Sequence, residues 1–189
     1  MHLIETQHQI EEFEHQRALV GTYIDHSYSR DKLDWVLAAR QGFDAHVGSS
    51  FHLLIPHQRN GYTVNHSTEH EYGIVLARAI INQLEIKHSD LPCIVFRALG
   101  ADYYFLKLGH RTKAEFLDII GRIGDLALEC AQNGPEEPGE FRAWVNMQTA
   151  NFLRREKMLS AMKRSLPALS GLLGGVVDAK ELVWRHQLL

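Results

Sequence analysis

HSDLPCIVFRALGADYYFLKLGHRTKAEFLDIIGR, residues 88–122, decides how this chain folds. Residues 93–99, CIVFRAL, are an apolar run with β-branched and aromatic side chains, the pattern of a buried strand. Gly100, Ala101 and Asp102 turn the chain, and residues 102–109, DYYFLKLG, bring it back as a second strand. So short a turn makes the pair antiparallel. Thr112 then caps a helix that carries Phe116, Leu117, Ile119, Ile120 and Ile123 at helical spacing. Pro92 stands just before the first strand.

Upstream, the same signals alternate. Residues 18–25, ALVGTYID, read as a strand that ends in the polar loop HSYS. Ser29 can cap the next helix, and Asp31 complements its dipole. Leu33, Val36, Leu37, Arg40, Phe43 and Val47 follow at helical spacing, and Gly48 stops them. FHLLI, residues 51–55, is a short buried strand that Pro56 is expected to end. A polar loop with a turn at Asn60-Gly61 follows. Thr68 and Glu71 have capping-box spacing before a helix through Ile74, Val75, Ala77, Arg78, Ile81 and Leu84. Residues 1–17 carry Leu3, Ile4, Ile10 and Phe13 among polar side chains, which predicts an N-terminal helical arm.

Downstream, NGPEEPG, residues 133–139, reads as a linker between a sheet domain at 18–132 and a helical tail at 140–189. The tail is expected as one long helix over about 140–165, followed by Pro167 and a glycine-rich apolar end. The fold class is α/β: alternating units start a parallel sheet, and the hairpin closes it antiparallel.

This order resembles the thioredoxin-like fold, βαβαββα. In that family a proline, usually cis, precedes the third strand, and a hairpin leads through a glycine to the last helix. Leu91-Pro92-Cys93-Ile94-Val95-Phe96 matches the proline and strand, with Gly100 at the turn and Gly109 before the helix. The resemblance covers roughly residues 18–130. It implies a cis bond at Leu91-Pro92 and a binding edge beside Pro92 and Cys93. Redox members carry Cys-x-x-Cys after the first strand. Here Asp25-His26-Ser27-Tyr28-Ser29-Arg30 stands at that place, so dithiol exchange has no nucleophile there. The resemblance is therefore to a non-redox member, and fold alone licenses no activity.

Cys93 beside the proline could be a single reactive thiol; the simpler reading is a small buried strand residue. Cys130, at the end of a helix, reads as inert. Ser27, Tyr28 and Ser29 sit where glutathione transferases, which are also thioredoxin-like, place an activating hydroxyl. Those enzymes hold the peptide with an acidic residue and a serine; after Tyr104 this chain has Gly109-His110-Arg111-Thr112 instead. A glutathione- or single-thiol-dependent enzyme is the alternative reading. His66-Ser67-Thr68-Glu69-His70 fits the inverted zinc-protease pattern H-x-x-E-H. A helix cap at Thr68 would put His66 off the helical face, so no zinc is expected there. His26, His46, His52 and His57 lie near element ends; hydrogen-bonded imidazoles are the simpler reading than a metal site.

In the tail, Phe141, Val145, Phe152, Leu159 and Leu166 form an apolar stripe that Met158 and Met162 widen. Part of it is expected to pack on this chain's own sheet. Phe152, Met158, Leu159 and Met162 are expected to meet a protein partner or a second copy. No cofactor is implied. A net charge of −3 argues against non-specific nucleic-acid binding. No apolar run approaches the ~18 residues a membrane span needs. Two cysteines imply no disulfide framework, and the polar N-terminus is unlike a signal peptide, so a cytoplasmic protein is expected. The reading of function is a non-catalytic binding or assembly module.

Overall fold

The computed structural model describes residues 1–25, 30–58, 71–97 and 103–173, with side chains as far as residue 156 apart from those of Arg30, Glu71 and Arg97. The elements in order are β1 (His2–Ile4), α1 (Gln7–Glu14), β2 (Leu19–Ile24), α2 (Arg30–Ala38), α3 (Arg40–Val47), β3 (Phe51–Gln58), β4 (Glu71–Tyr72), α4 (Ile74–Gln83), β5 (Cys93–Arg97), β6 (Tyr103–Lys107), α5 (Lys113–Asn133) and α6 (Pro138–Leu173). The result is a mixed sheet with interspersed helices and a C-terminal helical extension. The chain divides into two units, Met1–Ala150 and Asn151–Leu189; α6 begins in the first and continues in the second.

The sheet of the first unit runs β1-β3-β2-β5-β6, with β4 paired to β3 off this path. β1 and β2 are parallel to β3, while β5 is antiparallel to β2 and β6 to β5. Residues 88–122 fold as their pattern requires. The hairpin pairs Cys93 with Lys107 and Val95 with Phe105. Thr112 caps α5 in a full capping box: its hydroxyl accepts from the Glu115 N–H, and the Glu115 carboxylate accepts from the Thr112 N–H at 2.8 Å. Phe116, Ile119, Ile120 and Ile123 are buried. The Leu91–Pro92 peptide is cis, as the resemblance implies.

Strand alternation divides the core between the two faces. On one face, Ile24, Leu54, Cys93 and Val95 pack with Ile10 of α1 and Leu76 and Ile80 of α4. On the other, Phe51 meets Phe43 of α3 at 5.0 Å between ring centroids and Phe96 of β5 at 6.1 Å. α5 packs beside α3 and against β3. The start of α6 also belongs to this unit: Phe141 and Val145 are fully buried. Arg17 closes the α5–α6 junction by donating to the carbonyls of Ala131, Gly134 and Pro135. Its guanidinium also lies 4.5 Å from the Phe141 ring centroid.

Five expectations need correction. Residues 1–17 are not simply a helical arm: β1 pairs with β3, and the helix is confined to Gln7–Glu14. Three strand residues are too few to show a period. The helix expected over Leu33 to Val47 is two, broken at Ala39; the break re-aims the second so that Phe43 and Val47 are buried. β3 runs through Pro56 to Gln58 rather than ending there. Proline lacks a donor but keeps its carbonyl, and the Pro56 carbonyl accepts from the Gly73 N–H. Glu71 is not the third residue of a helix capped by Thr68: it lies in β4, and α4 starts at Ile74. Two pairings with β3 compete there with one cap, worth about 1 kcal/mol. α6 continues past Pro167 to Leu173, since a proline removes one helical donor without forbidding the next turn. Gly48 does stop α3, at φ 53°, in the left-handed region where glycine carries no steric penalty.

Candidate functional site

The strand order brings the end of β2 against the start of β5, with Ile24 opposite Cys93. That junction holds the residues the sequence singles out beside Pro92. It is built from β2, β4, β5 and β6 together. β4 matters because it delivers Tyr72. It can lie so close to β3 because Gly73 follows it: a Cβ there would stand 2.7 Å from the His57 backbone nitrogen.

Asp25 ends β2 with only 4% of its surface exposed. The Tyr72 hydroxyl bridges its backbone, accepting from the Asp25 N–H at 2.6 Å and donating to the Asp25 carbonyl at 3.1 Å. The Tyr23 hydroxyl donates to the Asp25 carboxylate at 3.4 Å. The Tyr23 and Tyr72 rings meet edge to face, 5.9 Å apart. Burial pushes the ionisation of both tyrosines well above their ordinary value, so both stay hydroxyls and keep donating.

Cys93, on the neighbouring strand opposite Ile24, has no exposed surface. Burial first, then the negative charges of Asp90 and Asp25, push its thiol up to about 12. At neutral pH it is a protonated, inaccessible group and a poor nucleophile. Asp90, itself buried in the turn before Pro92, is ion-paired with Lys107 of β6. Cys130 is buried in α5, and burial pushes its thiol up to about 11. The two cysteines lie on different elements, and neither is disulfide-bonded.

Of the expected contact residues, Pro92 and Cys93 are buried at this junction. Tyr28, like Ser27 and Ser29, lies outside the described residues. Phe152 lies on α6 and is half-buried. Met158, Leu159 and Met162 lie on α6 where only the backbone is described. The HSTEH motif and His26 also fall outside the described residues. Among those that are described, no group of three or more histidine, cysteine or acidic side chains could hold a metal ion. The flanking histidines have separate partners: His46 meets Asp125 at 2.7 Å, and His52 meets His2 at 3.1 Å. No described helix is long and apolar enough to cross a membrane.

The sequence puts Asp25 at the end of a strand but does not mark it as a site residue or show what holds it. Tyr23 sits two residues before it on the same strand face, a period-two signal that was available. Tyr72 comes from a strand of two residues, for which no pattern exists.

Compared with family models, curated proteins and solved structures, the chain gives no match.

Proposed function

We propose that this chain is a non-redox, thioredoxin-like module that acts by holding a protein partner, through its sheet edge or its tail helix. The fold half of the reading is supported by the strand order, by β5 running against both neighbours, and by helices between the strands. The observation that carries the functional half is Asp25. The stretch 25–30, where redox members carry Cys-x-x-Cys, has no cysteine, and its first residue is a buried aspartate whose backbone and side chain are both engaged by tyrosine hydroxyls. The nearest thiol, Cys93, is buried and fully protonated at neutral pH. A site of that kind supports shape and leaves binding to surfaces.

Two surfaces favour contact. β6 ends the described strand order, and Tyr103, Tyr104 and Phe105 on it are only half-buried. α6 carries Met147, 51% exposed, in its first half, and further along it has Phe152, Met158, Leu159 and Met162 at helical spacing. The tail stripe is the proposed principal contact, in an oligomer or with a second protein.

Light scattering after size exclusion tests this, on wild type and Leu159→Asp. The reading expects wild type to run as an oligomer or a partner complex, and the variant as a monomer with an unchanged circular-dichroism spectrum. A wild-type monomer that takes no partner would contradict it.

A further inference from the structure

We propose that the contact between His2 and His52 is an acid-released clasp that holds β1 on the edge of the sheet. β1 is three residues long and lies outermost, paired only with β3 among the described strands. So short a strand has little ladder of its own, and its attachment depends on side chains. Two of its side chains reach inward: Ile4 packs in the core, and His2, half-buried, meets the sheet's own histidine. The His2 Nε2 lies 3.1 Å from His52 Nδ1. The Phe13 ring of α1 covers both imidazoles, with centroids 4.5 and 5.0 Å away.

The neutral pair is compatible with this arrangement. One ring nitrogen donates and the other accepts, so a single proton lies between the rings. A proton on each imidazole beyond the neutral form would make both facing nitrogens donors and both rings cations. The hydrogen bond would then become a repulsion at contact distance. His52 has no means of relieving it in place. It is 6% exposed, and its Nε2 is buried with no hydrogen-bond partner among the described residues. A cation there would be desolvated and half unsatisfied.

The charged groups around the pair do not rescue it. The Met1 ammonium, just before β1, opposes added positive charge on both rings, and Arg40, on α3, opposes it on His2. Asp44 of α3 favours it, but Asp44 already pairs with the Met1 ammonium and with Arg40. Burial is the largest influence on both rings and holds each below the ordinary histidine value, His52 at about 4.

The remaining outlet is movement of His2, the half-exposed partner on the short strand. Release of β1 would uncover the outer edge of β3 at Leu54 to Pro56, where another extended segment could pair. This proposal is independent of the reading of the Asp25 site.

Amide hydrogen exchange followed by NMR tests it, with rates corrected for the intrinsic effect of pH. The amides of Leu3 and Ile4 report on β1, and those of Gly21 and Thr22 on the sheet centre. In wild type, lowering the pH from about 7 to about 5 should weaken protection at Leu3 and Ile4 roughly tenfold, with these amides exchanging faster than the centre at both pH values. In His52→Leu that change should vanish. If His52→Leu does not fold, His52→Gln, which keeps a polar side chain that does not titrate, makes the same comparison. Equal pH responses in wild type and variant would overturn the proposal, as would protection at Leu3 and Ile4 equal to that of the centre at both pH values, or no loss in wild type.

Discussion

Two buried polar regions of one sheet have opposite characters. At the end of β2, Asp25, Tyr23 and Tyr72 are joined by hydrogen bonds, and Asp90 has Lys107 as its ion-pair partner. At the outer edge, His52 is as deeply buried as Asp25, yet one of its ring nitrogens has no partner among the described residues. Burial raises the stakes of a polar group, and its partners decide the sign. The first region is a lock. The second is a weak point that a proton can open.

Removing the ring that the lock is built on should have the largest effect. Tyr23 has no exposed surface, so Tyr23→Ala leaves a cavity and strips Asp25 of a donor. A loss of about 3–5 kcal/mol is expected from the midpoint of urea unfolding. A loss below 1 kcal/mol, on the order of a surface change, would mean that the ring is not part of the core.

Acid should weaken the other region next. The ordinary histidine value is 6.5, and burial lowers His52 to about 4. Between those values the unfolded chain binds a proton that the native state refuses. The contribution of His52 is therefore whole above pH 6.5 and is lost as the pH falls toward 4. Urea midpoints at pH 7 and about 4.5 should differ by about 2–3 kcal/mol from this residue, and His52→Leu should remove that part of the slope. An unchanged slope in His52→Leu would assign the acid sensitivity elsewhere and erase the contrast between the regions.

The mildest change sharpens the comparison. Tyr72→Phe keeps the ring and deletes only the hydroxyl that bridges the Asp25 N–H and carbonyl. If the lock consists of satisfied partners, the cost is about 1–3 kcal/mol, read in the same unfolding experiment. A neutral result would show that water replaces the hydroxyl and that the site is wetter than its geometry implies.

How much of this the sequence displays depends on the length over which each signal acts. The β5–β6 hairpin, the Thr112 cap and the buried face of α5 are written in contiguous residues with a clear period and can be read directly. β1 and β4 have three and two residues, below any period, and exist because β3 offers them free backbone groups. Their absence from the sequence reading cost the site most. Asp25 is identifiable by its place after β2, whereas the hydroxyl that fixes it arrives from Tyr72, a sequence separation of 47. The His2–His52 contact spans a separation of 50 and could not be chosen from twelve histidines by spacing. Cys93 was better placed, since a cysteine in an apolar strand is usually a packed residue, and this one has no exposed surface.

The junction beside Pro92 is closed to thiol chemistry because the Cys93 thiol is buried and protonated. Reduction of insulin by dithiothreitol, with and without the protein, tests it most directly. Because the Cys93 thiol is buried and pushed up to about 12, precipitation should proceed at the rate of the reductant alone, for wild type and for Cys93→Ser alike. A faster rate with wild type that disappears in Cys93→Ser would contradict the account and make this protein a redox catalyst.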